Sequence, residues 1–151
     1  MSAKGSMHVD KVYNIVRTLS LEKGFNSFPD VKYIEDLKDV AFYAARTILL
    51  RKEEFDNSSD DDKKVVLAHE LGHHFESDIK TMNPSFRDLG SEVIADWFVA
   101  HIGLKEELKR YRSSGDKPYG DRFNEITDQH QDIDKFAKDI GIWHMQRIGG
   151  F

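Results

Sequence analysis

His69-Glu70-Leu71-Gly72-His73 sets two imidazoles four residues apart, with an acid directly after the first. On a helix, positions four apart lie about 40° from each other, so His69 and His73 project from one face, one turn apart. Two imidazoles so placed can share one zinc ion. Glu70 is offset from that line by one residue. It falls beside such an ion rather than on it, where it can take a proton from an attacking water. A catalytic zinc site needs a third protein ligand and keeps a fourth position for water. Glu92, on the next long helical segment, is the candidate. Asp96 follows four residues later on the same face and could accept the free ring N–H of a metal-bound histidine. The plainer alternative is a solvated acidic stripe. Against it, Val93, Ile94, Ala95, Trp97, Phe98 and Val99 isolate the two acids in a very apolar segment. A buried acid needs a partner, and a cation between two histidines would provide one.

These residues require two helices lying alongside each other. Asn57-Ser58-Ser59-Asp60-Asp61-Asp62 is a strong helix start, because Ser and Asp side chains accept the orphan N–H groups of a first turn. The three aspartates therefore read as capping rather than cation binding. The helix is expected to run to about residue 78, with Val65, Val66, Leu67 and Ala68 making it a buried central element. Gly72 inside it costs about 1 kcal/mol relative to Ala, which suggests that another backbone packs closely there. Asn83-Pro84-Ser85 breaks the chain, and a second helix is expected over 86–102, ending at Gly103. A short charged helix over 105–112 follows, with Lys109, Arg110 and Arg112 read as a solvated face. Near the start, Val9, Val12, Tyr13, Val16 and Leu19 give an amphipathic helix over 8–23, stopped by Gly24. Two short strands, 40–44 and 46–51, are expected to form a small antiparallel sheet, although a helix would also fit the apolar run. Two more helices are expected over 119–128 and 131–139.

The other histidines are weaker candidates. His74 lies about 100° from His73 on the helix wheel and should point away from it. His101 lies on the opposite side of its helix from Glu92. His130 and His144 could line a cleft, but a lone histidine is more often structural or on the surface. His8 carries no signal.

Composition narrows the classes. The chain has 151 residues, 39% hydrophobic and 32% charged, enough for one domain with a real core. Residues 1–6, with Gly5-Ser6 before Met7, read as an expression scar, and 7–151 as a single domain. Lys plus Arg is 22 against 27 Asp plus Glu, a net charge of -5, which argues against direct nucleic-acid binding. There is no cysteine, so thiolate ligands, a thiol nucleophile and a disulfide framework are excluded. The longest apolar run, 40–45, falls far short of the ~18 residues of a membrane span. A cytoplasmic protein is expected.

His69-Glu70-Leu71-Gly72-His73 followed by Glu92-Val93-Ile94-Ala95-Asp96-Trp97-Phe98-Val99-Ala100 resembles the ImmA/IrrE family of small bacterial and phage metallopeptidases. That family pairs H-E-[LI]-G-H with a downstream E-x-x-A-[ND]-x-F-A. The second segment matches at Glu92, Ala95, Asp96, Phe98 and Ala100, and the resemblance covers about residues 25–104. It implies an α+β, mostly helical, zincin-like domain with a small antiparallel sheet packed on the motif helix. It also implies zinc held by His69, His73 and Glu92, with Glu70 as catalytic base. The implied substrate is a regulatory protein, often a helix-turn-helix repressor of mobile elements or stress responses. Two departures stand out. Asp96 sits where the family often has Asn, and Phe75-Glu76-Ser77-Asp78 replaces a common Leu-His continuation.

The expected activity is zinc-dependent hydrolysis of a peptide bond, with an extended peptide adding to the sheet edge near Thr47 to Leu50. Tyr111, Tyr119, Arg122 and His130 are candidates to stabilise the oxyanion. The alternative is a non-catalytic antirepressor or toxin-like binding module with a structural metal site, for which Glu70 would be unnecessary. The sequence leaves oligomeric state open.

Overall fold

The computed structural model describes residues 7–113, apart from 36, 38 and 39. The expected helices at 119–128 and 131–139, and with them Tyr119, Arg122, His130 and His144, lie outside the described residues.

Helix α1 (Val9–Glu22) buries Val9, Val12, Tyr13 and Val16, the stripe its spacing requires. The His8 ring caps it, with Nδ1 accepting from the Asp10 amide at 3.2 Å. Strands β1 (Asp30–Tyr33), β2 (Ala41–Ala44) and β3 (Thr47–Leu50) form one sheet in the order β1-β3-β2. Helix α2 (Lys52–Asp56) is a single short turn anchored by the fully buried Phe55. Helices α3 (Asp60–His74), α4 (Glu76–Met82), α5 (Ser91–Val99) and α6 (Lys105–Ser113) follow. The fold is thus α+β and mostly helical, with a small three-stranded sheet.

The expected strand pair is present as β2 and β3, antiparallel, with Ala41 opposite Leu50 and Ala44 opposite Thr47. The sheet as a whole is mixed rather than antiparallel, because β1 pairs with β3 in parallel. Asp30-Val31-Lys32-Tyr33 carries the period-two alternation of a strand, but four residues behind Pro29 give no cue to pairing direction. The consequence is that β3 is central. Its backbone groups on both sides are taken by β1 and β2, so no peptide can add at Thr47 to Leu50. Among the described residues, β2 stands at the edge of the sheet.

Helix α3 begins as expected. Ser59 Oγ accepts from the Asp62 amide at 3.1 Å, and Asp60, Asp61 and Asp62 occupy the first turn. Val65, Val66, Leu67, Ala68 and Leu71 are all buried, so α3 runs through the core against α1, the sheet, α5 and α6. It stops earlier than the spacing suggests. Phe75 leaves the helical conformation and sends its ring into a cluster with Phe25, Phe28 and Phe98. That single residue turns the chain into α4. Helix α5 is likewise shorter than 86–102. Residues Pro84–Phe86 form a 3-10 turn, α5 starts after the extended Gly90, and Ala100–Leu104 is a π turn. Gly103, at φ 101°, sits in the left-handed region that only glycine adopts cheaply, and there the chain swings into α6. No helix among the described residues is long and apolar enough to cross a membrane.

Gly72 faces α5. A Cβ built on it would lie 2.6 Å from the Ala95 Cα and 3.1 Å from the Phe98 Cβ. The close backbone approach expected from this glycine is therefore the α3–α5 contact itself.

The β2–β3 corner is strained, because Ala45 (φ 51°) and Arg46 (φ 60°) both occupy the left-handed region. A two-residue corner of this hand favours Asn-Gly. Replacing the pair with Asn-Gly should raise stability by about 1 kcal/mol, read as a higher denaturant midpoint at unchanged slope. An unchanged or lower midpoint would contradict this assignment of strain.

Candidate metal centre

His69 and His73 stand in the last turns of α3, with ring centroids 4.8 Å apart. Both are largely enclosed, their side chains 13% and 17% exposed. Glu92, in the first turn of α5, lies across from them. One of its carboxylate oxygens is 3.0 Å from His69 Nε2 and the other 3.2 Å from His73 Nε2. The imidazole nitrogens that a shared ion would need thus converge on one carboxylate. Because Gly72 lets α5 approach α3, this convergence follows from the backbone contact between the two helices.

His69, Glu70 and His73 offer ligand atoms within 4.8 Å of one another, a group that could hold a metal ion. The donor set of two neutral imidazoles and carboxylate oxygen fits zinc and similar divalent ions. Glu70 is buried, one residue around the helix from His69.

Asp96 is fully buried and accepts from His69 Nδ1–H at 2.8 Å. It thus makes the contact to a His69 ring nitrogen that the spacing suggested. The buried-acid argument holds for Asp96 but not for Glu92, whose side chain is 63% exposed at the mouth of the cleft. One helical turn separates them: Glu92 precedes the buried run from Val93 to Val99, and Asp96 lies within it.

Arg112 departs from its expected place on a solvated face. Its guanidinium grips Asp96 with two hydrogen bonds, Nη2 to Oδ1 at 2.7 Å and Nε to Oδ2 at 3.1 Å. The sequence does carry the signal. Leu104, Leu108 and Arg112 fall at i, i+4 and i+8, and both leucines are buried. Arg110 does lie at the surface, paired with Asp61 at 3.2 Å.

The remaining described histidines have structural partners. His74 turns away from the cluster, its Nε2–H donating to the Ser27 carbonyl at 2.8 Å while Nδ1 accepts from the Tyr43 hydroxyl at 2.7 Å. His101 stacks on Trp97, and burial lowers its pKa.

An open cleft of about 620 Å³ runs over this centre. Residues Val40, Ala41, Phe42 and Tyr43 of the β2 side form one wall, and Tyr111 and Arg112 of α6 form part of another. Burial raises the Tyr111 pKa, which keeps its phenol protonated and able to donate. Comparison of the chain with protein-family models, with curated proteins and with solved structures returns no match.

Electrostatics make the centre pH-sensitive. Burial pulls the His69 pKa down, but its hydrogen bonds to Asp96 and Glu92 outweigh burial and hold it at about 9. Those to His69 and His73 keep Glu92 well below the usual carboxylate range. A histidine whose pKa is raised on folding stabilises the fold below its unfolded pKa of 6.5, and that contribution is lost as pH rises toward about 9. Metal binding runs the other way, since it requires deprotonated imidazole. Thermal melts with chelator should therefore fall in this window, while the upward shift given by added zinc should grow. Parallel pH profiles with and without zinc would contradict the arrangement.

Proposed function

We propose that this chain is a zinc-dependent metallopeptidase of the ImmA/IrrE type, acting in the cytoplasm on a specific regulatory protein, a helix-turn-helix repressor. The observation that carries the reading is the pairing of both Glu92 oxygens with His69 Nε2 and His73 Nε2, with Glu70 beside them. His69, His73 and Glu92 would hold the ion. Glu70 is assigned the base role rather than a ligand's, because the Glu92 carboxylate already meets both imidazole nitrogens. The metal, when bound, supplies Lewis acidity toward a carbonyl and lowers the pKa of water.

The chain's own residues account for the rest. Glu70 accepts the proton of the attacking water and passes it to the leaving amine. Asp96 keeps Nδ1 of His69 protonated and its Nε2 turned toward the cleft. Tyr111, which lines the cleft, is assigned the role of donor to the developing oxyanion. An extended substrate segment adds to the outer edge of β2, whose residues line the cleft. The repressor and the cytoplasmic setting rest on the motif resemblance alone.

Three variants separate the roles. Glu70→Gln should keep fold and zinc but lose about 10²–10⁴-fold in turnover. Glu92→Gln should lose zinc to a dilute chelator that the wild type resists. Tyr111→Phe should lower kcat with little change in KM. Metal analysis combined with cleavage of the repressor encoded beside the gene, against unfolded casein, at neutral pH and near pH 5, tests the whole reading. Selective cleavage of the repressor at neutral pH, lost on acidification, is expected. Rapid casein digestion persisting at pH 5, or undiminished turnover by Glu70→Gln, would contradict the proposal. A zinc-loaded wild type inert on the repressor would favour the non-catalytic binding module.

A further inference from the structure

We propose that Arg112 is a positioning residue for the metal centre: by clamping Asp96 it fixes the His69 ring, so that ion binding depends on α6 being docked. The inference rests on the metal-site reading above, though not on peptidase activity.

Asp96 has no exposure to solvent. A carboxylate buried to that degree requires charge and hydrogen-bond compensation, or it protonates or turns. His69 Nδ1–H satisfies part of Oδ1, and the Arg112 fork meets both oxygens at 2.7 and 3.1 Å. A planar guanidinium on a carboxylate fixes the plane of the carboxylate as well as its charge. With that plane fixed, Oδ1 is aimed at Nδ1, and Nε2 of the same ring is held toward Glu92 and His73. The chain Arg112–Asp96–His69 thus runs from α6 through α5 to α3.

Arg112 comes from α6, which follows a change of chain direction at Gly103. Gly103, in the left-handed conformation, separates α6 from α5. Leu104 and Leu108 seat α6 in the core, and Arg112 extends the same face by one further turn. Undocking α6 would remove the Arg112 guanidinium from both Asp96 oxygens. The position of α6 and the affinity of the centre are therefore linked, and anything that displaces α6 should weaken metal binding.

The test uses the full chain, stripped of metal. Zinc affinity is measured by competition with a chromophoric chelator, and cobalt(II) is added as a spectroscopic probe of the ligand field. Arg112→Gln should bind zinc roughly 10–100-fold more weakly and give an altered cobalt spectrum. Asp96→Asn should lose a similar factor, and the double variant no more than the larger single loss, since both act through one chain of contacts. Arg112→Lys, which keeps charge but not the fork, should recover only part. Arg110→Ala, on the same helix but away from Asp96, should match the wild type. Wild-type zinc affinity and cobalt spectrum in Arg112→Gln would overturn the proposal, as would fully additive losses or a lowered metal-free melting temperature with unchanged affinity. If Arg112→Gln does not fold, Arg112→Lys decides. Weaker zinc binding at an unchanged melting temperature supports the clamp, and wild-type affinity overturns it. A wild type that binds zinc but cuts nothing would defeat the peptidase reading and leave this inference standing.

Discussion

The backbone of α3 meets the backbone of α5 at Gly72 and Ala95, and the candidate centre exists because they meet. A Cβ at position 72 would stand 2.6 Å from the Ala95 Cα, inside any tolerable contact. Glycine in a helix interior costs about 1 kcal/mol in propensity. Here that cost offsets the larger one of forcing two helices apart, which overpacking puts at about 1–3 kcal/mol. Three residues before Gly72 on α3 stands His69, and one after it His73. Three before Ala95 on α5 stands Glu92, and one after it Asp96. The crossing point thus lies inside both functional pairs, and the closeness of the backbones lets short side chains reach across.

Around that crossing the molecule supplies what a buried polar group needs. Asp96 is compensated from two directions, by His69 on α3 and Arg112 on α6. Glu92 is left at the surface, where its charge costs little and its oxygens remain accessible. The aromatic cluster of Phe25, Phe75 and Phe98 closes the floor behind the motif, with ring centroids 5.0–5.6 Å apart. Phe75 does so by ending α3 one residue after His74, so the last turn of α3 carries both His73 and the structurally occupied His74. Among the described residues, β2 is an edge strand of the sheet, and it lies beside the cleft.

Much of this was legible in the sequence because it rests on local rules. Capping at Ser59, the apolar stripe of α1, the β2–β3 pair and the meaning of Gly72 all follow from spacing or propensity. What was not legible depends on relations between distant elements. The parallel pairing of β1 with β3 has no local signature, and it makes β3 central and β2 an edge strand among the described residues. Glu92 and Asp96 look equivalent in the chain, four residues apart in one apolar segment. Their environments diverge because only the second penetrates the core. Arg112 looked like one charge among three, yet it continues the buried face of Leu104 and Leu108. A periodicity count that admitted arginine on an apolar stripe would have found it.

The central claim is that His69, His73 and Glu92 converge on one ion, brought together by the α3–α5 contact. Crystals of the zinc-loaded protein, measured on both sides of the zinc absorption edge, test this directly. The account predicts one strong anomalous peak bounded by His69 Nε2, His73 Nε2 and a Glu92 carboxylate oxygen, with Glu70 beside it and Asp96 on the far side of the His69 ring. A peak held by other residues, or none at stoichiometric zinc, would contradict it.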